Sequence, residues 1–177
     1  RVIAGVGPSG VGKDTVMEAM AQAEPRLGLV RRVITRPSAS GGEVFNGVTV
    51  PAFKAMERDG AFALSWGAHG LHYGIPADVD AHLDAGRDML ANLSRGVLVQ
   101  ARARFSGLQV ISLTADPAVL AQRLAARGRE SEADIKQRLS RAAKVLPDGI
   151  DVTKIDNSGS LEETVGAALG ALYPVSV

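Results

Sequence analysis

A glycine-rich stretch near the start of the chain constrains the fold more than any other feature. The apolar run Val2 to Val6 is typical of a buried strand, and it leads through GVGPSGVGKDTV into a helical pattern from about Gly12 to Ala23. Stretches of the form G-x-x-x-x-G-K-[ST], placed between a strand and a helix, wrap their backbone N–H groups around phosphate. The sequence therefore predicts a parallel α/β sheet with a phosphate site at the end of its first strand.

The rest of the chain alternates apolar runs with helical patterns, as parallel sheets with crossover helices do. Further strands are predicted at Val30 to Thr35, at Val48 to Val50, in a hairpin of Phe62 to Trp66 and Leu71 to Tyr73, up to Asn92, within LQVISLTADP, and near Asp151 to Ile155. Further helices are predicted at Ala52 to Asp59, after Gly96, at Ala118 to Arg127 behind Asp116 and Pro117, at Ile135 to Val145 behind Ser131 and Asp134, and after Ser160 and Glu163. No internal repeat or long linker interrupts this order, so we expect a single domain.

Composition limits the classes of partner. The chain has 177 residues, 46% of them hydrophobic, which is enough for one domain with a full-sized core. Its formal net charge of +1 and the absence of a Lys/Arg tract argue against nucleic-acid binding. It has no cysteine and no apolar run near the roughly 18 residues of a membrane span, so we expect a cytoplasmic protein without a membrane partner. The expected partners are small molecules, and the sequence leaves the oligomeric state open.

The phosphate loop supplies the candidate ligands of a nucleotide. Its glycines allow the backbone to approach phosphate closely, Lys13 adds a point charge, and the following helix adds its positive end. We expect ATP to be bound by Gly7, Pro8, Ser9, Gly10, Val11, Gly12, Lys13, Asp14 and Thr15.

Asp14 departs from the motif, because the residue after the lysine usually carries the hydroxyl that binds magnesium. Its carboxylate is a hard oxygen ligand, and Thr15 offers a hydroxyl one position later. The residues alone leave two alternatives open, a rearranged Mg²⁺ site at Asp14 and Thr15 or the loss of the metal site.

Three arginines in the second half of the chain are candidates for charge neutralisation. Arg123 and Arg127 lie four residues apart on one predicted helix, and Arg138 lies on the next. Phosphoryl transfer consists largely of positioning and neutralising the migrating group, so Lys13 and these three arginines are the candidate catalytic residues. The alternative is that helix arginines are solvated or paired with neighbouring glutamates.

Several motifs together resemble guanylate kinase-like proteins. GPSGVGK, TRP…GGEVFNGV, SWGAHGLHYG, QRLAARGRESEADIKQRLSRA and KIDNSGSLEE occur in the family's order and cover nearly the whole chain. The resemblance implies a P-loop kinase with a core (about 1–33, 76–126 and 139–177), an acceptor-binding part (about 34–75) and a lid (about 127–138). It also places Arg123, Arg127 and Arg138 around the transferred phosphoryl group and Asn157 at the adenine of ATP.

The acceptor pocket departs from guanylate kinases in one direction. Arg36 and Tyr73 match residues that hold the acceptor's phosphate, but Ser65 replaces the glutamate that reads guanine and Val50 replaces a tyrosine. Ala39 stands where the family has a second phosphate-binding arginine. Loss of groups that pair with the substrate's own donors argues against guanine recognition.

A closer resemblance lies within this superfamily. GPSGVGKD, ITR, LSW…GLHYG, NLSR, QARARF and RLAARGRE are similar to the ribose 1,5-bisphosphate phosphokinases of phosphonate degradation, which turn their substrate and ATP into 5-phosphoribosyl 1-diphosphate. This resemblance implies that aspartate after the lysine belongs to a working site. Two phosphates and no base call for added positive charge, and the candidate sugar-bisphosphate ligands are Arg32, Thr35, Arg36, Ser65, Tyr73, Asn92 and Arg95.

Three functions follow from these observations. A sugar-bisphosphate kinase is the first, and a nucleoside monophosphate kinase with altered base choice is the second. The third is an inactive guanylate kinase-like interaction module. The presence of Lys13 and the lid arginines argues against the third, because a binding scaffold has no use for them.

Overall fold

The computed structural model of the chain describes residues 1–8, 11–37, 45–127, 133, 146–147 and 149–174. Its strands are β1 (Val2–Val6), β2 (Leu27–Leu29), β3 (Val33–Ile34), β4 (Asn46–Gly47), β5 (Phe62–Ala68), β6 (Leu71–Pro76), β7 (Asp88–Asn92), β8 (Gln109–Thr114) and β9 (Asp151–Asp156). Its helices are α1 (Lys13–Ala23), α2 (Val50–Arg58), α3 (Val79–Asp84), α4 (Leu98–Arg104), α5 (Pro117–Arg127) and α6 (Leu161–Leu172), with a 3₁₀ turn at Arg95–Val97.

Five parallel strands form the main sheet in the order β2-β7-β1-β8-β9. The central strand β1 is buried throughout, because both faces of the sheet are covered. Val2 and Val6 pack into one core with helix α4, and Ile3 packs into a second core with helices α1 and α6. This architecture confirms the predicted α/β class.

Four strands form a second sheet in the order β4-β3-β6-β5. Strands β5 and β6 form the predicted hairpin, and they turn through His69 and Gly70, which both have positive φ. Phe53 of helix α2 stacks on Phe62 of this hairpin, with ring centroids 4.7 Å apart. The second sheet thus has its own apolar support beside the main sheet.

Two predicted strands have wrong bounds. The predicted strand Val30 to Thr35 is too long: within it only β3 is a strand, and it pairs in the second sheet, whereas β2 ends before the predicted run begins and pairs in the main sheet. The predicted strand Val48 to Val50 lies two to three residues earlier, at β4, because Val50 already begins helix α2 behind its Thr49 cap. The helix predicted at Ile135 to Val145 lies outside the described residues.

A helix that crosses a bilayer needs about 20 predominantly apolar residues. No helix in the described part of the chain combines the length and the apolar character that crossing a membrane requires.

Candidate active site

The phosphate loop lies at the carboxyl end of the central strand, between the ends of β7 and β8. Ligands of open α/β sheets bind at this edge. Gly12 precedes helix α1 with a φ of 86°, which favours glycine, and a Cβ atom there would lie 2.9 Å from Asn157 Nδ2. At Gly7 a Cβ atom would lie 2.9 Å from the Leu113 carbonyl oxygen. The loop is therefore packed closely against β8 and against the residue that follows β9. Ser9 and Gly10 lie outside the described residues.

Two side chains donate hydrogen bonds to the same carbonyl oxygen of the loop. Asn157 Nδ2 donates to the Val11 oxygen at 2.6 Å, and Arg123 Nη1 donates to the same oxygen at 3.2 Å. Arg123 Nη2 also donates to the Asn157 carbonyl at 2.8 Å. The two predicted site residues Arg123 and Asn157 are thus brought to the loop, where both bind protein backbone.

Several cations surround Lys13. The pKa of Lys13 is lowered to about 8, mainly by burial and also by the charges of Arg32 and Arg95, while Asp14 opposes the shift. Arg32 is 6% exposed, and burial lowers its pKa to about 10 against the opposing influence of Tyr73 and Asp14. Burial also lowers the pKa of Arg95. Crowding cations into a desolvated place is unfavourable without a counter-charge, so the cluster is suited to a polyanion.

Asp14 has a fixed partner on β7. Asn92 Nδ2 donates to Asp14 Oδ1 at 2.9 Å, and Asn92 is 7% exposed. Among the described residues, no group of three or more His, Cys, Asp or Glu side chains could hold a metal ion by itself. Mg²⁺ is commonly bound by one or two carboxylates together with substrate phosphates, and an oriented carboxylate beside Lys13 fits that pattern. Thr15 follows Asp14 as an exposed residue in the first turn of α1.

The second sheet brings aromatic rings and arginines together. The Arg32 guanidinium lies 4.9 Å from the centroid of the Tyr73 ring, and Trp66 stacks on Tyr73 with ring centroids 5.4 Å apart. Arg36 lies 4.4 Å from the Phe45 ring centroid, and its Nε is buried without a hydrogen-bond partner in the described structure. An unpaired buried donor is costly, and an anionic ligand would satisfy it.

Two other residues predicted to bind the acceptor substrate form hydrogen bonds within the protein. Ser65 Oγ donates to Glu57 Oε2 at 2.8 Å, so its hydroxyl proton is used by helix α2. Thr35 Oγ1 accepts the His72 N–H at 2.9 Å, which links β3 to β6. Contact of Ser65 and Thr35 with a substrate stays a prediction.

The remaining predictions concern the lid. Arg127 is the last residue of helix α5, and its side chain is not among those described. Arg138 and Ala39 lie outside the described residues, so their roles stay predictions.

Sequence reasoning missed one residue that supports the site. Thr164 on helix α6 donates to Asn157 Oδ1 at 2.6 Å. Ser94, which the NLSR motif includes, accepts a hydrogen bond from Trp66 Nε1 at 3.1 Å. Thr164 belongs to no motif, and its one available signal is its position as a polar residue on an otherwise apolar helix face.

Curated relatives match the chain over almost all of its length. It is 50% identical over 165 residues to "Ribose 1,5-bisphosphate phosphokinase PhnN" of Ruegeria sp. (strain TM1040), covering 93% of this chain and 87% of that protein. It is 50% identical over 161 residues to the protein of the same name from Agrobacterium fabrum, covering 89% and 88%. The chain belongs to the ribose 1,5-bisphosphate phosphokinase family.

The fold of this chain is similar to that of a solved structure. A guanylate kinase from Anaplasma phagocytophilum superposes with a TM-score of 0.72 at 16% identity, covering 97% of this chain and 82% of that chain. At this identity the likeness shows the fold alone. No protein-family model matches the chain.

The lowered pKa of Lys13 leads to a prediction about proton uptake in this family member. With a pKa of about 8, Lys13 is about half neutral at pH 8 and mostly neutral at pH 9, and bound phosphate raises its pKa again. We therefore expect ATP binding to take up a proton at pH 9 and almost none through this group at pH 7. Calorimetric titrations in buffers of different ionisation enthalpy measure this uptake. Equal proton uptake at pH 7 and pH 9 would contradict a lowered pKa of Lys13 as the source of the uptake.

Proposed function

We propose that this protein transfers the terminal phosphoryl group of ATP to ribose 1,5-bisphosphate, forming 5-phosphoribosyl 1-diphosphate and ADP. A phosphate oxygen on C1 of the sugar attacks the γ-phosphorus, the bond between the γ-phosphorus and the β,γ-bridging oxygen breaks, and ADP leaves. The identity of about 50% to relatives of that name, over most of both chains, supports this reaction.

The observation that carries the proposal is a group of cations, from the phosphate loop to the second sheet, whose charges act on one another. Lys13 shares its electrostatic surroundings with Arg32 and Arg95, and Arg32 shares its own with Arg36. Two anionic substrates would lie at opposite ends of such a cluster, with the reacting atoms between them. A site for an uncharged acceptor has no use for so many desolvated cations.

The reaction needs little acid–base catalysis from the protein. The attacking phosphate oxygen is already ionised at neutral pH, so a general base is not needed. Lys13 would bind the outer phosphates of ATP and hold both reactants in line, since alignment and charge neutralisation supply most of the rate acceleration in phosphoryl transfer. Asp14, oriented by Asn92, would hold Mg²⁺, which supplies charge neutralisation on the phosphates.

The acceptor would be bound by the second sheet. Arg36 has a buried Nε that needs an acceptor, and Arg32 lies beside the Tyr73 ring. We assign the two sugar phosphates to these arginines, with Arg95 completing the positive charge. In this proposal residues 34–75 form the acceptor-binding part, 127–138 the lid and the rest the core. Arg127 and Arg138 act on the transferred group, and Arg123 would join them on leaving the Val11 and Asn157 carbonyl oxygens. Substrates of this kind fit a cytoplasmic location.

The reaction is tested by measuring ADP release from ATP and Mg²⁺ with each of two acceptors, ribose 1,5-bisphosphate and GMP. We expect turnover with the sugar bisphosphate and a kcat/KM for GMP lower by at least about 10³-fold, because the residues that read guanine are absent. A preference for GMP would favour the nucleoside monophosphate kinase. Turnover of neither acceptor, with no binding of ATP, would favour the interaction module.

A further inference from the structure

A buried hydrogen-bond network ties helix α6 to the phosphate loop. Thr164 is 2% exposed, and its Oγ1 lies 2.6 Å from Asn157 Oδ1 and 3.1 Å from the Ser160 carbonyl oxygen. Asn157 is 6% exposed, and its Nδ2 lies 2.6 Å from the Val11 oxygen. The network therefore runs from a helix at the far end of the chain to a peptide of the loop.

The chemistry of the three groups fixes the direction of every hydrogen bond. The Val11 carbonyl can only accept, so the Asn157 amide must present its NH₂ group to it. The Asn157 carbonyl oxygen then faces Thr164, whose hydroxyl has a single proton for two acceptors. The shorter distance, 2.6 Å against 3.1 Å to the Ser160 carbonyl, assigns that proton to Asn157 Oδ1. Without the hydroxyl, the buried Asn157 oxygen would lose its partner, and the amide would lose the contact that defines its orientation.

Fixing the Val11 oxygen also fixes the next N–H group. The peptide bond is planar and trans, so the Gly12 N–H points away from the side on which Asn157 holds the Val11 oxygen. Gly12 has positive φ, and its Cα lies against Asn157 Nδ2. Backbone N–H groups of this loop are the donors that bind phosphate. The orientation of Asn157 thus sets the orientation of a phosphate-binding donor.

We propose that Thr164 is a positioning residue for nucleotide binding, acting through Asn157 on the Val11–Gly12 peptide of the phosphate loop. Thr164 itself touches no substrate, since it is buried behind Asn157. The inference rests on the proposed function in one respect, because it takes the loop to bind the phosphates of ATP.

The experiment is a titration of ATP with Mg²⁺ into Thr164→Val, an isosteric change that removes the hydroxyl and keeps the packing volume. We expect the Kd for ATP to rise by about tenfold, which corresponds to a lost buried hydrogen bond, and the KM for ATP to rise similarly. The KM for ribose 1,5-bisphosphate should change by less than about twofold. Thr164→Ser restores the hydroxyl and should bring the Kd for ATP to within about twofold of the native value.

A matched control separates positioning from loss of stability. Ala168 is fully buried one turn further along helix α6, and Ala168→Gly weakens the helix without touching the network. It should lower the melting temperature and leave the Kd for ATP unchanged. If Ala168→Gly weakens ATP binding as much as Thr164→Val does, the effect is one of stability and the proposal is overturned.

A double-mutant cycle tests the route of the effect. Once Asn157 is replaced by alanine, adding Thr164→Val should change the Kd for ATP by less than about twofold, because the intermediary is already lost. Additive effects of the two changes would overturn the proposal. ATP binding is measured here without acceptor, so a native protein that binds ATP but does not phosphorylate the sugar refutes the proposed reaction and leaves this inference standing.

Discussion

Replacement of Lys13 by alanine is expected to lower kcat/KM for ATP by about 10³-fold or more. The ammonium group is the cation placed directly after the glycine loop, and Arg32 and Arg95 are near enough to shift its pKa. Steady-state ADP release measures the effect, with Lys154→Ala, an exposed lysine on β9, as the matched control.

The same change should make the ligand-free protein more stable. Below pH 8 Lys13 is charged in both folded and unfolded states, and burial makes the charged form costly in the folded state, on the order of 1–3 kcal/mol. The unfolded chain holds the extra proton between about pH 8 and the ordinary lysine pKa, so the penalty declines over that interval as pH rises. Thermal unfolding at pH 7 should therefore show a higher melting temperature for Lys13→Ala. Loss of activity with a lower melting temperature would indicate misfolding instead.

Replacement of Asp14 by asparagine is the second large effect that we expect, a fall in kcat of about 100-fold with saturating ATP and Mg²⁺. The substitution keeps the shape of the side chain and an oxygen that can accept from Asn92 Nδ2. It removes the negative charge that a metal requires. Glu18→Gln, one turn further along helix α1, is the control for a general change of charge near the loop.

The two alternatives for Asp14 predict opposite results in the presence of Mg²⁺. A carboxylate beside the phosphates of ATP repels them, so Asp14→Asn should bind metal-free ATP several-fold more tightly than the native protein. With Mg²⁺ present the native protein should regain the advantage. If Asp14→Asn binds ATP more tightly and also turns over at least as fast with Mg²⁺, the rearranged Mg²⁺ site is refuted. The loss of the metal site, which the sequence left open, would then be the correct alternative.

The central strand and the loop after it were predictable because their signals are local. A run of five apolar residues fits a strand that is covered on both faces. The glycine loop predicts a helix directly after it from about Gly12, and that helix begins at Lys13. The run from Val30 to Thr35 was predicted wrongly for the opposite reason. Its six residues are typical of one strand, but the strand is limited to Val33–Ile34, because only these two residues pair with β4 and β6 in the second sheet.

The candidate site was predictable where a motif carries the chemistry. The pattern drew attention to Lys13 and Asp14, but spacing could not reveal that Asn92, 78 residues away, orients the aspartate. Nor could it reveal that Asn157 and Arg123 both donate to one carbonyl oxygen of the loop, or that Thr164 donates to Asn157. These contacts depend on how parallel strands bring distant segments to one edge of the sheet.

The measurement that tests the account most directly is ³¹P NMR of the product formed from ATP, Mg²⁺ and ribose 1,5-bisphosphate. The account predicts ADP together with a diphosphate on C1 of the sugar, seen as two coupled phosphorus resonances, while the phosphate on C5 remains a monoester. No such product should form with Lys13→Ala. Release of ADP with inorganic phosphate, or a diphosphate on C5, would contradict phosphoryl transfer to the C1 phosphate.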